Sequence, residues 1–305
     1  MDTHDLLGKI TRLPIIADGL AMDMLAGNFR SVFKGQGLEF DEARHYQWGD
    51  DAKSIDWNAS ARLGTPFVKM FREERELTIL LLLDTSASMN NAIANIWGSK
   101  AMSPYEQALI AAALIAFSAE RSGQRVGALL FNSRIDRVFP PRKGRRNVLA
   151  FVSGALQFHK HTRHRPLIRD MHTSNIRAAL AGAGRLLKRR SMVVLFSDFL
   201  SVGWEQELND LSRRHDVIAV RVSDPEDEAL PDLGLITIED PETGVNIPAP
   251  TGSPVFRTSW SSWHKDRADL WLNLCRRAGA AHIDIPVTAD AAAALSRFFG
   301  ARSGR

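Results

Sequence analysis

The run from Leu77 to Leu83, Leu-Thr-Ile-Leu-Leu-Leu-Leu, constrains this chain more than any other stretch. It is one strand long and apolar on both faces, so protein must cover it on both sides. That is the position of a central strand in a parallel sheet, not of a half-wet one. The run ends at an acid followed by alternating hydroxyls, Asp84-x-Ser86-x-Ser88. Ligands of open α/β sheets collect just beyond the carboxyl ends of strands. One carboxylate and two hydroxyls there make a half-shell of hard oxygen donors, the type that suits Mg²⁺. A strand-to-helix turn capped by Asp84 or Ser86 explains the same residues, and this stretch alone does not separate the two readings.

Downstream, strands and helices alternate. Ser103-Pro104 followed by Glu106 supplies an N-cap, a proline in the first turn and an acid at N3. Leu109, Ala112, Ala113, Ala116 and Phe117 give that helix an apolar face to about Arg121. Arg125 to Phe131 and Ile135 to Phe139 read as strands joined by Asn132-Ser133, a connection short enough to make the second an antiparallel edge. A helix carries Val148, Phe151, Val152 and Leu156, and Thr173-Ser174 opens another that reaches about Arg190. Met192 to Ser197 is a second buried strand ending at an acid, Asp198. A helix over 204–214, a strand over 217–222, a long helix from about Ser261 to Arg277, a strand at Ile283-Asp284-Ile285 and a helix over 290–299 complete the series.

The expected fold is therefore α/β, a doubly wound, mostly parallel sheet with one antiparallel edge strand. It occupies 77–300, with a hairpin inserted at about 224–254 whose first arm is Leu235-Ile236-Thr237-Ile238 and whose turn is 240–244. Residues 1–76 hold a helical segment (Leu6, Leu7, Ile10, Leu13, then Leu20, Met24 and Leu25) and a small module rich in acids, bases and aromatics. In that module arginines interleave with acids, which predicts ion pairing rather than an acid/base or metal site. Arg44 and Arg62 are expected to pair with Asp50, Asp51 or Asp56 and to pin the module to the sheet domain, with Trp48, Trp57 and Phe67 as a minor core.

Other features argue against particular chemistries. The 39 Lys and Arg against 35 Asp and Glu leave a net charge of +4, which gives no reason to expect nucleic acid. The single cysteine, Cys275, excludes an intramolecular disulfide and a cysteine-rich metal site. His159, His161, His164 and His172 are irregularly spaced and interleaved with Lys160, Arg163 and Arg165, so an exposed polar loop is expected rather than a metal site. The basic turn Arg142-Lys143-Gly144-Arg145-Arg146 reads as a solvated helix start. No run approaches the ~20 apolar residues of a membrane span. Asp2 and Asp5 precede no apolar segment of the signal-peptide kind, so a cytoplasmic location is expected.

Three places now carry related chemistry: Asp84-x-Ser86-x-Ser88, the hydroxyls of Thr173 and Ser174, and Asp198. This pattern resembles a von Willebrand factor A domain, in which these positions form the metal-ion-dependent adhesion site (MIDAS). Upstream, Gly37-Leu38-Glu39-Phe40, Arg44-His45-Tyr46, Gly49-Asp50-Asp51, Ile55-Asp56-Trp57, Ala61-Arg62 and Phe71-Arg72-Glu73-Glu74 resemble the domain of unknown function 58 family. That family is similar to von Willebrand A domains and is commonly encoded beside MoxR-type AAA+ ATPases; many members begin with membrane-spanning helices, and this chain resembles the soluble branch. Counting back from Ala178-Ala179-Leu180, the family's threonine falls on Ser174, with Thr173 one residue earlier, so both are candidates. The resemblance implies one Mg²⁺ or Mn²⁺ held by Asp84, Ser86, Ser88, Ser174 or Thr173, and Asp198. It also implies a non-enzymatic adaptor whose open metal position takes an Asp or Glu of a partner protein, and a MoxR-type ATPase as partner.

Two enzyme classes compete with that reading. Leu82-Leu83-Asp84-Thr85-Ser86-Ala87 resembles the Asp-Thr-Gly turn of aspartic proteases, which need a second such aspartate and an all-β scaffold. Helices from 104, 174 and 261 exclude that scaffold. The alternative is a metal-dependent phosphohydrolase with Asp84 as nucleophile. It calls for a second carboxylate two residues on, where this chain has Ser86, and for a positioned lysine that the sequence does not reveal.

Overall fold

A computed structural model describes residue 13 and residues 38–48, 50–51, 54–73, 77–90, 102–163, 173–239 and 245–303. They fall into two units, one within Phe29–Glu76 and one that joins Leu13 to the residues from Leu77 onward. In the first, β1 (Leu38–His45) pairs antiparallel with β2 (Phe67–Glu73), and α1 (Trp57–Leu63) lies between them in sequence. Arg44 forks onto Asp50 at 2.9 and 2.7 Å, and Asp50 also accepts the Gln47 N–H at 2.8 Å. The Arg44 hydrogen bonds hold the Asp50 carboxyl below its ordinary range. Asp56 has a local task that ion-pair reasoning did not foresee. Its Oδ1 accepts the N–H groups of Asn58 and Ala59 at 3.1 and 3.2 Å and so caps α1. Asp51 is exposed, and Arg62 lies in the last turn of α1, where a cation suits the helix dipole.

The expected tryptophan core is overturned: Trp48 is wholly exposed and Trp57, which opens α1, is 71% exposed. The reason is one of layers. Among the described residues, a seven-residue helix with no buried residue and a two-stranded sheet supply no second apolar face to cover large rings. Phe67 packs instead against the His45 ring, with centroids 4.4 Å apart.

The second unit runs β3 (Thr78–Asp84), α2 (Ala87–Asn90), α3 (Pro104–Arg121), β4 (Arg125–Phe131), β5 (Ile135–Arg142), α4 (Arg145–Arg163), α5 (Ile176–Leu186), β6 (Met192–Ser197), α6 (Glu205–Arg214), β7 (Asp216–Ser223), α7 (Pro225–Glu228), β8 (Leu235–Glu239), β9 (Asn246–Pro250), α8 (Pro254–Ala278), β10 (Ala281–Pro286) and α9 (Ala291–Ser303). Six strands form one sheet in the order β5-β4-β3-β6-β7-β10, parallel throughout except for β5 against β4. Taken in chain order, β3 is the first of the six, so the sheet winds outward to one side, then returns to β6 and winds to the other. This is the doubly wound arrangement, and its direction reverses between β3 and β6.

Ile79 to Leu83 have no exposed surface, which is what the two-sided apolar run demands. On one face of β3, Leu80 and Leu82 join Leu195 and Val193 of β6 under α5, α6 and α8. On the other lies α3, flanked by α4 and α9. Its buried residues run without a break from Pro104 to Ala119, and its alanines let neighbours approach from every side. The Ser103–Glu106 capping box starts α3 as the sequence predicts.

Several boundaries differ from expectation. Helix α5 stops at Leu186 rather than Arg190, and its N-cap is Asn175, whose side chain accepts the Ala178 N–H at 2.9 Å. The hydroxyl of Ser174 is thereby left free of capping duty. Helix α8 starts at Pro254, behind a Ser253 N-cap; Ser253-Pro254 repeats the start signal of Ser103-Pro104. Strands β8 and β9 make the inserted hairpin, a separate antiparallel pair; its expected turn at 240–244, and the helical reading of 1–30 apart from Leu13, lie outside the described residues. Among the described residues no helix is long and apolar enough to cross a membrane.

Leu81→Ala should cost about 2–5 kcal/mol in denaturant unfolding, because it opens a cavity in a fully covered strand. Asp56→Ala should cost only about 1 kcal/mol, the value of a lost cap. Equal losses would contradict this division of roles.

Candidate functional site

The carboxyl ends of β3 and β6 lie side by side at the point where the winding reverses, and each delivers an acid. Asp84, the last residue of β3, has no exposed surface. The chain turns sharply after it because the Ser86 N–H folds back onto Asp84 Oδ1 at 2.9 Å. Thr85 is tied to the neighbouring strand: its N–H and hydroxyl both donate to the Phe131 carbonyl, at 2.7 and 2.9 Å. Asp84 Oδ2 accepts two hydroxyls, Ser174 at 2.5 Å and Ser197 at 2.7 Å. Asp198 follows β6 directly; its Oδ1 accepts the Leu200 N–H at 3.1 Å, and the Ser88 hydroxyl bonds the same carboxylate. The hydroxyls of Ser86 and Ser88 are 3.1 Å apart.

Phe199 completes the turn with φ 58°, a conformation that a bulky residue adopts rarely. Its N–H donates to Ser197 Oγ at 3.1 Å, and its ring is wedged against Trp204 and Trp271 at 5.5 and 5.6 Å between centroids. Those contacts hold the residue after Asp198 in place.

Asp84, Ser86, Ser88, Ser174 and Asp198, named from positions scattered over more than a hundred residues, thus converge on one spot. Of the two hydroxyls before α5, Ser174 is buried on Asp84 and Thr173 is exposed. Ser197 was missed. The signal was a hydroxyl beside an acid at the end of a buried strand, but strand alternation points neighbouring side chains to opposite faces, and only the turn at Asp198 brings both to one place. The histidines also need correcting: His159 lies inside α4 and is buried, because α4 is longer than expected and turns this residue toward α3. His164 and His172 lie outside the described residues. The basic turn at 142–146 is exposed at the start of α4.

The electrostatics are those of a site short of positive charge. Burial pushes the Asp84 carboxyl above its ordinary range, and the Asp198 charge pushes it further, while hydrogen bonds from Ser174, Ser197 and Ser86 oppose the rise. Burial likewise raises Asp198, against the hydrogen bonds from Ser88 and Leu200. The donor set fits a hard divalent cation. Ser174 commits its proton to Asp84, so its oxygen keeps lone pairs for a further partner. Among the described residues no three His, Cys, Asp or Glu side chains cluster, so no cage of charged ligands is present and a cation held here keeps water. That suits Mg²⁺ or Mn²⁺ better than zinc.

Residues 42–269 match the family described as "Protein of unknown function DUF58". The uncharacterized protein Rv1480 of Mycobacterium tuberculosis is 32% identical over 286 residues, which span 92% of this chain and 84% of that protein. Among solved structures, the conserved hypothetical protein BatB from Bacteroides thetaiotaomicron superposes with a TM-score of 0.42 at 14% identity, covering 75% of this chain and 100% of that one. A von Willebrand factor type A protein from Catenulispora acidiphila gives 0.35 at 10% identity, covering 75% of this chain and 42% of that one.

A carboxyl whose value is raised by folding stabilises the fold only while protonated. Its contribution is complete below the ordinary carboxylate value and is lost as pH rises through the raised one. In chelator, Asp84→Asn should therefore gain stability relative to wild type as pH goes from about 4 to about 8. Calorimetric melting temperatures across that range check this, and a difference that stays constant with pH would contradict it.

Proposed function

The chain belongs to the DUF58 family, and we propose that it is a non-enzymatic protein-interaction module. In this reading it holds one Mg²⁺ or Mn²⁺ and grips the carboxylate of a partner protein. The observation that carries the reading is the convergence of a buried and a half-buried carboxylate, mutually repelling, with serine hydroxyls at the reversal point of the sheet. Asp84 and Asp198 supply the negative charge, and Ser86, Ser88 and Ser174 supply neutral oxygens. A bound cation would offer an open coordination position to an acid from outside. Neutral donors suit that task, because a third protein carboxylate would repel the incoming one. The partner is an Asp or Glu on a docking surface, and nucleic acid has no part in it.

The family resemblance supports a finer version: an adaptor for a MoxR-type AAA+ ATPase, working in the cytoplasm on protein maturation or complex assembly. No observation favours the phosphohydrolase. Asp84 has no exposed surface and both its oxygens are engaged, which is poor placement for a nucleophile.

Titration calorimetry should give one Mg²⁺ or Mn²⁺ site that Asp84→Ala removes and Ser174→Ala weakens, with Thr173→Ala like wild type. Equal binding by wild type and Asp84→Ala would overturn the metal reading. For the partner, the test is capture of the MoxR-type ATPase encoded nearest the gene. It should need divalent cation and fail with Asp84→Ala, and capture indifferent to chelator and to Asp84→Ala would rule out this site as the grip.

A further inference from the structure

Behind the site runs a second polar chain that the proposed function does not use. Asn90, the last residue of α2, donates its amide Nδ2 to the Ser86 carbonyl at 2.9 Å and the Thr85 carbonyl at 3.2 Å. It therefore spans the loop that presents the Ser86 and Ser88 hydroxyls. With Nδ2 spent on carbonyls, Asn90 Oδ1 is an acceptor, and it lies 2.9 Å from His159 Nδ1. That network assigns a proton to His159 Nδ1. His159 Nε2 lies 3.5 Å from Glu106 Oε1 on α3. The Tyr105 ring stacks on the imidazole with centroids 5.0 Å apart, and the Tyr105 hydroxyl donates to the Ala155 carbonyl at 3.0 Å. Glu106 Oε2 accepts the Ser103 N–H at 3.1 Å, which anchors the far end of the chain in the capping box of α3.

Both His159 and Glu106 are almost wholly buried, at 3% and 1% exposure. Burial alone would raise the Glu106 carboxyl, but the neighbouring His159, the Ser103 N–H and nearby positive charge together hold the group below its ordinary range. Polar side chains at such depth are costly unless partnered, and an apolar residue at 159 would pack between α3 and α4 without that cost. Capping explains Glu106 for α3, and the Thr85 and Ser86 carbonyls explain the Asn90 amide. Neither explains His159, which joins the two.

We propose that Asn90 and His159 are positioning residues: the chain Glu106–His159–Asn90 ties the serine loop to α3 and α4, keeping the Ser86 and Ser88 hydroxyls on the carboxylate side before a cation arrives. Its consequence for binding rests on the metal reading above, whereas its geometry does not.

The test uses the full chain with Asn90→Ala, His159→Leu and His159→Asn, the last keeping an N–H donor near the place of Nδ1. Two readouts separate the anchor from its consequence. In chelator, hydrogen exchange at the Thr85 and Ser86 amides should quicken in Asn90→Ala and His159→Leu while β3 stays protected, and His159→Asn should restore most of the protection. Mn²⁺ affinity, read from the free-ion paramagnetic resonance signal, should fall about 10–100-fold in the first two variants and recover in the third. Unchanged exchange overturns the anchor. Faster exchange with unchanged Mn²⁺ affinity overturns its role in positioning ligands. If wild type binds no Mn²⁺, the metal reading falls, and the exchange result still decides whether the anchor exists.

Discussion

The rest of the structure depends on one unfavourable contact: a carboxylate without exposed surface, Asp84, held beside a second one, Asp198. The fold imposes it. Strands β3 and β6 are neighbours that run the same way, and the winding reverses between them. Two acids placed there meet. What makes the meeting tolerable is a shell of donors built from three separate stretches of chain. Ser174 and Ser197 serve one oxygen of Asp84, the Ser86 N–H serves the other, and Ser88 and Leu200 serve Asp198. Hydrogen bonds soften the repulsion without cancelling a charge, and that remaining demand is what the proposed cation would meet.

The same contact explains the local backbone. The turn after Asp84 bends back on its own carboxylate, and the turn after Asp198 drives Phe199 into a left-handed conformation that its aromatic neighbours stabilise. A rigid wall stands behind the first of these turns: Thr85 is bonded to β4, and Asn90 is bonded to His159 on α4. A site assembled from loops is in this way held by strands and helices, and a preformed site binds a small ion without having to order its ligands first.

Much of this was legible in the residues because it follows from short-range rules. The all-apolar run of β3, the Ser103-Pro104 start and the tight Asn132-Ser133 connection each have one cheap structural solution, and each is found. The donors Asp84, Ser86, Ser88 and Asp198 sit at strand ends, where chain position alone implies proximity to the site. Long-range geometry was not legible. Nothing near residue 159 in the sequence says that this histidine faces Glu106 across two helices, and nothing near Trp57 says that its ring is exposed. Asp56 shows the ambiguity of an acid: one that can pair with an arginine can equally cap the helix that follows, and here the cap is local and costs less chain ordering.

The account stands on a cation sitting among these particular oxygens, and the most direct measurement is anomalous diffraction at the manganese edge from crystals soaked in Mn²⁺. The account predicts one strong peak bounded by the Ser86 and Ser88 hydroxyls and facing Asp84 and Asp198, absent from crystals of Asp84→Ala. A wild-type crystal whose anomalous map is flat there, while Mn²⁺ appears at other sites, would contradict it.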